Sequence, residues 1–149
     1  MQLQIDLTGT QQLTDALERL GSRAANTKHL HEIAATVVLE TTEDNFSSES
    51  WMGKPWAPWS AATHARRSGG KKLQDSGHLA GSITSVATAS EASIGTNLVY
   101  AAIHQFGGRT GRGRRSVIPA RPFLPIEEGA LAGKVEDTII DEMVRYLEG

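Results

Sequence analysis

Apolar residues recur along this chain with two different periods. Leu3, Ile5 and Leu7 alternate with polar residues, which predicts a short half-buried strand. Leu13, Ala16, Leu17 and Leu20 then share one helical face, with Thr10 as the entry cap and Gly21 as the stop. A longer helix opens at Asn26 or Thr27. Its stripe is Leu30, Ile33, Ala34, Val37 and Val38, while Glu32, Glu40, Glu43 and Asp44 stay in water, and it frays near residues 47–50. Near the end of the chain Leu131, Val135, Ile139, Met143 or Val144, and Leu147 mark another helix. Glu136, Asp137, Asp141 and Glu142 form its polar face.

Between the helical stretches the pattern is shorter and more broken. Residues 51–72, rich in Trp, Pro, Gly and basic side chains, read as an irregular connection. Ser76 and Gly77 introduce a brief helical turn at 78–82. The segments 83–88 and 92–96, joined by a Ser90-Glu91 turn, predict a hairpin. Tyr100, Ile103 and Phe106 sit at helical spacing within 99–106, closed by Gly107-Gly108. Residues 107–116 (GGRTGRGRRS) contain four Gly, four Arg, one Thr and one Ser, so they have nothing to bury and read as a long flexible Arg/Gly-rich loop. Pro119 and Pro122 fix the backbone on either side of Arg121 and predict an extended, rigid path over 119–124 into the last helix, anchored by Phe123 and Leu124. The expectation is an α+β fold, one small antiparallel sheet packed against two long helices, in a single domain spanning residues 1–149.

Charge changes the picture more than composition does. The whole chain carries only −2, yet residues 1–53 hold three basic and eight acidic groups, for −5. Residues 54–121 hold ten basic and two acidic groups, for +8, and residues 122–149 two basic and seven acidic, again −5. Acidic helices lying against a basic region of the same molecule would explain this, as would an oriented field that meets another subunit or a polyanion.

Catalytic and cofactor chemistry finds little purchase. Without Cys there are no disulfides, thiolate nucleophiles or sulfur-ligated zinc sites. No apolar run approaches the roughly 20 residues that span a bilayer, and the first ten residues do not resemble a secretory signal. A protein of the reducing cytosol is therefore expected. His29 and His31 point roughly 200° apart on a helix, and His64, His78 and His104 are scattered without ligand spacing. Gly108 to Ser116 mimics a phosphate-binding loop, but Arg114 and Arg115 stand where Lys and Ser/Thr are needed. No nucleophile elbow occurs. The expectation is a non-enzyme with no metal and no cofactor.

Two groups of residues remain as candidate contact sites. Trp51, Trp56 and Trp59 fall within nine residues and would form either a satellite core that pins the irregular segment or an exposed anchor for a partner. Arg109, Arg112, Arg114 and Arg115 suit a solvated loop, phosphate contacts with a nucleic acid, or an arm that orders against acidic faces of neighbouring subunits. No aromatic interleaves the run, which argues against base stacking. The two acidic flanks favour head-to-tail association of identical copies. Arg121, with its planar fork, adds a candidate for a carboxylate partner, buried or on another subunit. His104-Gln105 reads as a hydrogen-bonded structural pair.

Three blocks carry a resemblance. Leu73-Gln74-Asp75-Ser76-Gly77-His78-Leu79-Ala80-Gly81-Ser82-Ile83 is similar to an L-x-x-S-G-x-L-x-x-S-I segment. Ile94-Gly95-Thr96 followed by Tyr100-Ala101-Ala102-Ile103-His104-Gln105-Phe106-Gly107-Gly108 is similar to G-T…Y-A-x-I-H-Q-F-G-G, and Ile118-Pro119-Ala120-Arg121-Pro122-Phe123-Leu124 to I-P-A-R-P-F-L. These resemble, in order and with the Gly-x-Pro-Trp stretch at 53–56, the phage virion morphogenesis family, which includes the Mu-type G protein and tail-completion proteins. The resemblance covers nearly the whole chain. It implies a non-catalytic structural subunit at a tailed-phage neck or tail end, in a stopper, tail-terminator or tail-completion ring. It also implies a homo-hexamer around the DNA channel, other neck or tail proteins as partners, and a place in the virion after assembly in the host cytoplasm. The basic loop would then face adjacent subunits or the DNA-bearing lumen.

Overall fold

The computed structural model describes residues 11–149. The strand expected at 3–7 and the Thr10 cap lie outside the described residues, as do the side chains of Leu13, Ala16 and Leu17. Helix α1 (Gln11–Ala25) runs through Gly21 instead of stopping there. The chain breaks one turn later at Asn26, whose side-chain oxygen accepts the His29 N–H at 3.2 Å and caps α2 (Thr27–Ser48). Helix α2 ends at Glu49, which adopts a left-handed conformation at φ 52°.

The irregular connection contains short elements. Ser50–Trp51 (β1) and Lys54–Pro55 (β2) form a tight hairpin, and a six-residue helix, α3 (Ala61–Arg66), is capped by Ser60. The turn expected at 78–82 is α4 (His78–Gly81). The expected hairpin is present as β3 (Thr84–Ala87) and β4 (Ala92–Gly95), with Ser85 opposite Ile94. Helix α5 (Ala101–Phe106) follows. The final helix, α6 (Gly133–Glu148), carries Val135 and Ile139 on its buried face.

Two expectations are corrected here. The Arg/Gly-rich segment is not a structureless loop. Gly108–Thr110 (β5) pairs antiparallel with Ser116–Ile118 (β6) around a single 3₁₀ turn at Arg112–Arg114. Glycines at 111 and 113, both at positive φ, let the chain reverse. The proline-bracketed strip also does not lead straight into the last helix. A further hairpin, β7 (Ile126–Glu127) with β8 (Ala130–Leu131), intervenes.

The fold is α+β, but its strands do not merge into one sheet. Among the described residues they make four separate two-stranded ladders, each pairing only neighbours in sequence. Strands of two to four residues bury too little side-chain surface to recruit a third partner. The helices supply the core instead. One cluster joins Val37 and Val38 of α2 to Ala132, Val135 and Ile139, with Trp51, Ile94 and Met143 packed around it. A second joins Phe46, at the far end of α2, to Trp56, Leu79, Ala101 and Phe123. Helix α2 thus serves both clusters. Thr42 is fully buried within it and satisfies its hydroxyl on the Val38 carbonyl one turn back, at 2.7 Å.

Candidate functional site

Among the described residues no strand pairs with the strip from Pro119 to Leu124, so its backbone groups need other partners. Pro119 and Pro122 have no N–H to satisfy. The Arg121 N–H donates to the His104 carbonyl at 2.8 Å. Gln105 Oε1 accepts from both Phe123 N–H (3.0 Å) and Leu124 N–H (2.9 Å), while its Nε2 donates to the Leu124 carbonyl at 3.2 Å. The carbonyls are taken by Trp56 Nε1 on Pro122 (2.7 Å), Asn45 Nδ2 on Phe123 (2.9 Å) and Trp51 Nε1 on Leu124 (3.1 Å). Side chains from α2, β1, the segment after β2 and α5 therefore converge on one extended strip.

This arrangement sorts the tryptophans. Trp56 is buried, edge-on to Phe46 at 5.8 Å between ring centroids, and belongs to the core, not to an exposed anchor. Trp51 is half-buried and hydrogen-bonded to the strip. Trp59 is also half-buried, with the Arg67 guanidinium stacked over its ring at 4.5 Å. Phe123 stacks on Phe46 at 5.3 Å, so it anchors the strip to α2, not to the last helix as its sequence position suggests.

Arg121 finds carbonyls in place of the expected carboxylate. Its Nε donates to the Ala57 oxygen at 2.9 Å and its Nη2 to the Pro58 oxygen at 2.6 Å. It lines a cavity of about 410 Å³ together with Trp59, Arg66, Arg67, Tyr100 and His104. Burial lowers the Arg121 pKa. Burial, and then the charge of Arg121, lowers that of His104, whose Nδ1 has no hydrogen-bond partner among the described residues. The expected His104-Gln105 pair thus splits: Gln105 is a hydrogen-bonded bracket, whereas His104 contributes its backbone carbonyl.

The four remaining arginines lie on the β5–β6 hairpin, and all are exposed. Gly108 sits opposite Ile118 and Arg109 opposite Val117. Because side chains alternate across a ladder, Ile118 lies on the face toward the cavity while Arg109 and Val117 share the opposite face. Val117 is 65% exposed, and nearby in sequence Phe106 is 69% exposed. None of Arg109, Arg112, Arg114 and Arg115 makes an ion pair among the described residues. Nor do His, Asp and Glu side chains there gather into a group of three able to hold a metal ion. No helix among the described residues is long and apolar enough to cross a membrane.

Sequence reasoning missed Asn45 and the bracket role of Gln105. A proline-bracketed strip signals that backbone groups need unusual partners, but nothing local says which side chains will supply them.

Residues 8–148 match the model of the phage virion morphogenesis family. The chain belongs to that family. Two relatives are similar over most of their length. Mu-like prophage FluMu G protein 2 of Haemophilus influenzae is 38% identical over 138 residues, covering 91% of this chain and 94% of the relative. Protein G of Escherichia phage Mu, named for capsid assembly, is 33% identical over 121 residues, covering 76% of this chain and 77% of the relative. No solved structure matches. As a virion morphogenesis protein, the chain is a phage structural component. Two of its three sequence blocks meet where His104 and Gln105 of α5 hold the bracketed strip.

Proposed function

We propose that this protein is a subunit of the ring that joins head to tail in a tailed phage, at the neck or the tail terminus, and that it closes a homo-hexamer around the DNA channel. Family membership carries the reading. The name of the phage Mu relative adds support, because it refers to capsid assembly, and a head–tail junction is where capsid and tail components meet. The exposed arginines of the β5–β6 hairpin suit contacts with adjacent subunits, with other neck or tail proteins, or with DNA in the lumen. The working location is the virion, reached from the host cytoplasm.

A phage lacking this gene product is expected to accumulate unjoined heads and tails, visible by electron microscopy, and to recover on supply of the protein in trans. Infectious, fully joined virions from the knockout would refute the proposal.

A second reading, a nucleic-acid-binding protein acting through the same four arginines, rests on their clustering and exposure. It predicts duplex binding that weakens steeply with salt and disappears when the four are neutralised. Binding of that kind by the free protein, with head–tail joining intact in the arginine variant, would select it.

A further inference from the structure

We infer that the β5–β6 hairpin docks into an acidic groove between α2 and α6 of a second copy of this chain. The inference rests on the ring reading and names the two surfaces that would build it.

The groove has a volume of about 720 Å³ and is lined by Glu32, Glu40, Asp44 and Glu142, with Ile33 and Val37 along its apolar base. Two of its acids are already engaged. Glu32 pairs with Lys28 and His29, and Glu142 with Arg145. Glu40 and Asp44 are exposed and have no ion-pair partner among the described residues. They stand four residues apart on one helix, a spacing at which like charges repel. Among the described residues each folded copy therefore presents a groove with two acids that have no ion-pair partner and a hairpin with four such arginines.

Composition matches as well as sign. The groove pairs carboxylates with apolar side chains, and the outer hairpin face pairs Arg109 with an exposed Val117. A polyphosphate backbone would satisfy the arginines but leave Val117 without an apolar counterpart. A protein groove satisfies both. Because the two surfaces differ, the contact is heterologous and propagates from copy to copy until it closes.

The test is a charge swap in the full-length protein, read by light scattering over a concentration series. Replacing Arg109, Arg112, Arg114 and Arg115 together with Glu gives an acidic hairpin facing an acidic groove. Glu40→Lys with Asp44→Lys reverses the two groove charges that have no ion-pair partner among the described residues, so a basic hairpin faces two lysines. Each variant alone is expected to lose self-association, by about tenfold or more for each reversed pair, while keeping the circular dichroism of the parent. Mixed together, the two variants are expected to co-assemble, because each acidic hairpin then meets a basic groove and the reverse.

A parent that associates while the mixture stays monomeric would overturn this contact and leave the ring proposal standing on another interface. Association unchanged in either single variant would overturn it equally. A parent that stays monomeric at every concentration overturns the self-contact, and whether that parent still restores joining in the knockout phage then decides the ring reading separately.

Discussion

Gln105 does for Phe123 what a neighbouring strand would do: its side-chain oxygen accepts the Phe123 N–H at 3.0 Å and the next N–H at 2.9 Å. On the other side Asn45 donates to the Phe123 carbonyl at 2.9 Å. Two amide side chains from different helices thus replace a ladder that the proline-bracketed strip cannot build. The Phe123 ring between them is 1% exposed.

Gln105→Leu keeps the volume and removes the bracket. It is expected to cost about 1–3 kcal/mol for each buried group left unpaired, measured by urea unfolding. Gln105→Glu retains the acceptor for both N–H groups but sets a buried carboxylate oxygen against the Leu124 carbonyl, so its cost should fall at low pH, where the protonated carboxyl can donate there.

The stacked rings of Phe46 and Phe123 tie the strip to α2. When each is replaced with Leu, singly and together, the double variant should lose about 0.5–1.5 kcal/mol less than the sum of the two single losses. Additive losses would mean that the rings contribute burial alone.

Two glycines should respond in opposite directions to alanine. At Gly107, φ is 73°, and a Cβ would lie 2.8 Å from the Ala120 nitrogen and 2.9 Å from the Ile118 oxygen, both backbone atoms that cannot step aside. Gly107→Ala should therefore destabilise by about 1–3 kcal/mol. Gly21 is inside α1 with nothing within 4 Å of the added atom. Gly21→Ala should stabilise by about 0.5–1 kcal/mol. Thermal unfolding of the two variants reads both signs.

His104 sets a pH dependence. Burial and then the charge of Arg121 lower its folded-state pKa below the ordinary value of about 6.5. Between those two values the unfolded chain binds more protons than the folded one, so stability rises with pH across that window. It is fully present above the unfolded value and is lost as pH falls through the folded one. His104→Gln should flatten this part of the urea midpoint profile between about pH 7.5 and pH 5. Arg121→Gln should shift it less, because burial is the larger cause. A profile that Gln at 104 leaves unchanged would assign the slope to other groups.

Much of the local structure was legible from residue types. Asn26 caps a helix because its side chain reaches a free N–H, and the β3–β4 hairpin is written in β-branched and small residues around a polar turn. Gly21 misled, because an isolated glycine weakens a helix without ending it when the helix packs against another, and α1 packs on α6. The Arg/Gly-rich segment misled for a related reason: a lack of apolar residues excludes a core but not a two-stranded ladder, whose bonds are backbone bonds.

Short-range forces are legible in residue order, and they set the long helices, the capped and glycine-bearing turns, the segregation of charge and the three blocks that mark the family. Only the tertiary structure decided that Trp56 is core, that Arg121 holds two carbonyls in place of a carboxylate, and that Asn45 and Gln105 meet across Phe123. Those partners lie 18 to 78 residues apart along the chain. A local pattern shows that a buried polar group needs a partner, but the choice among distant candidates is made by packing.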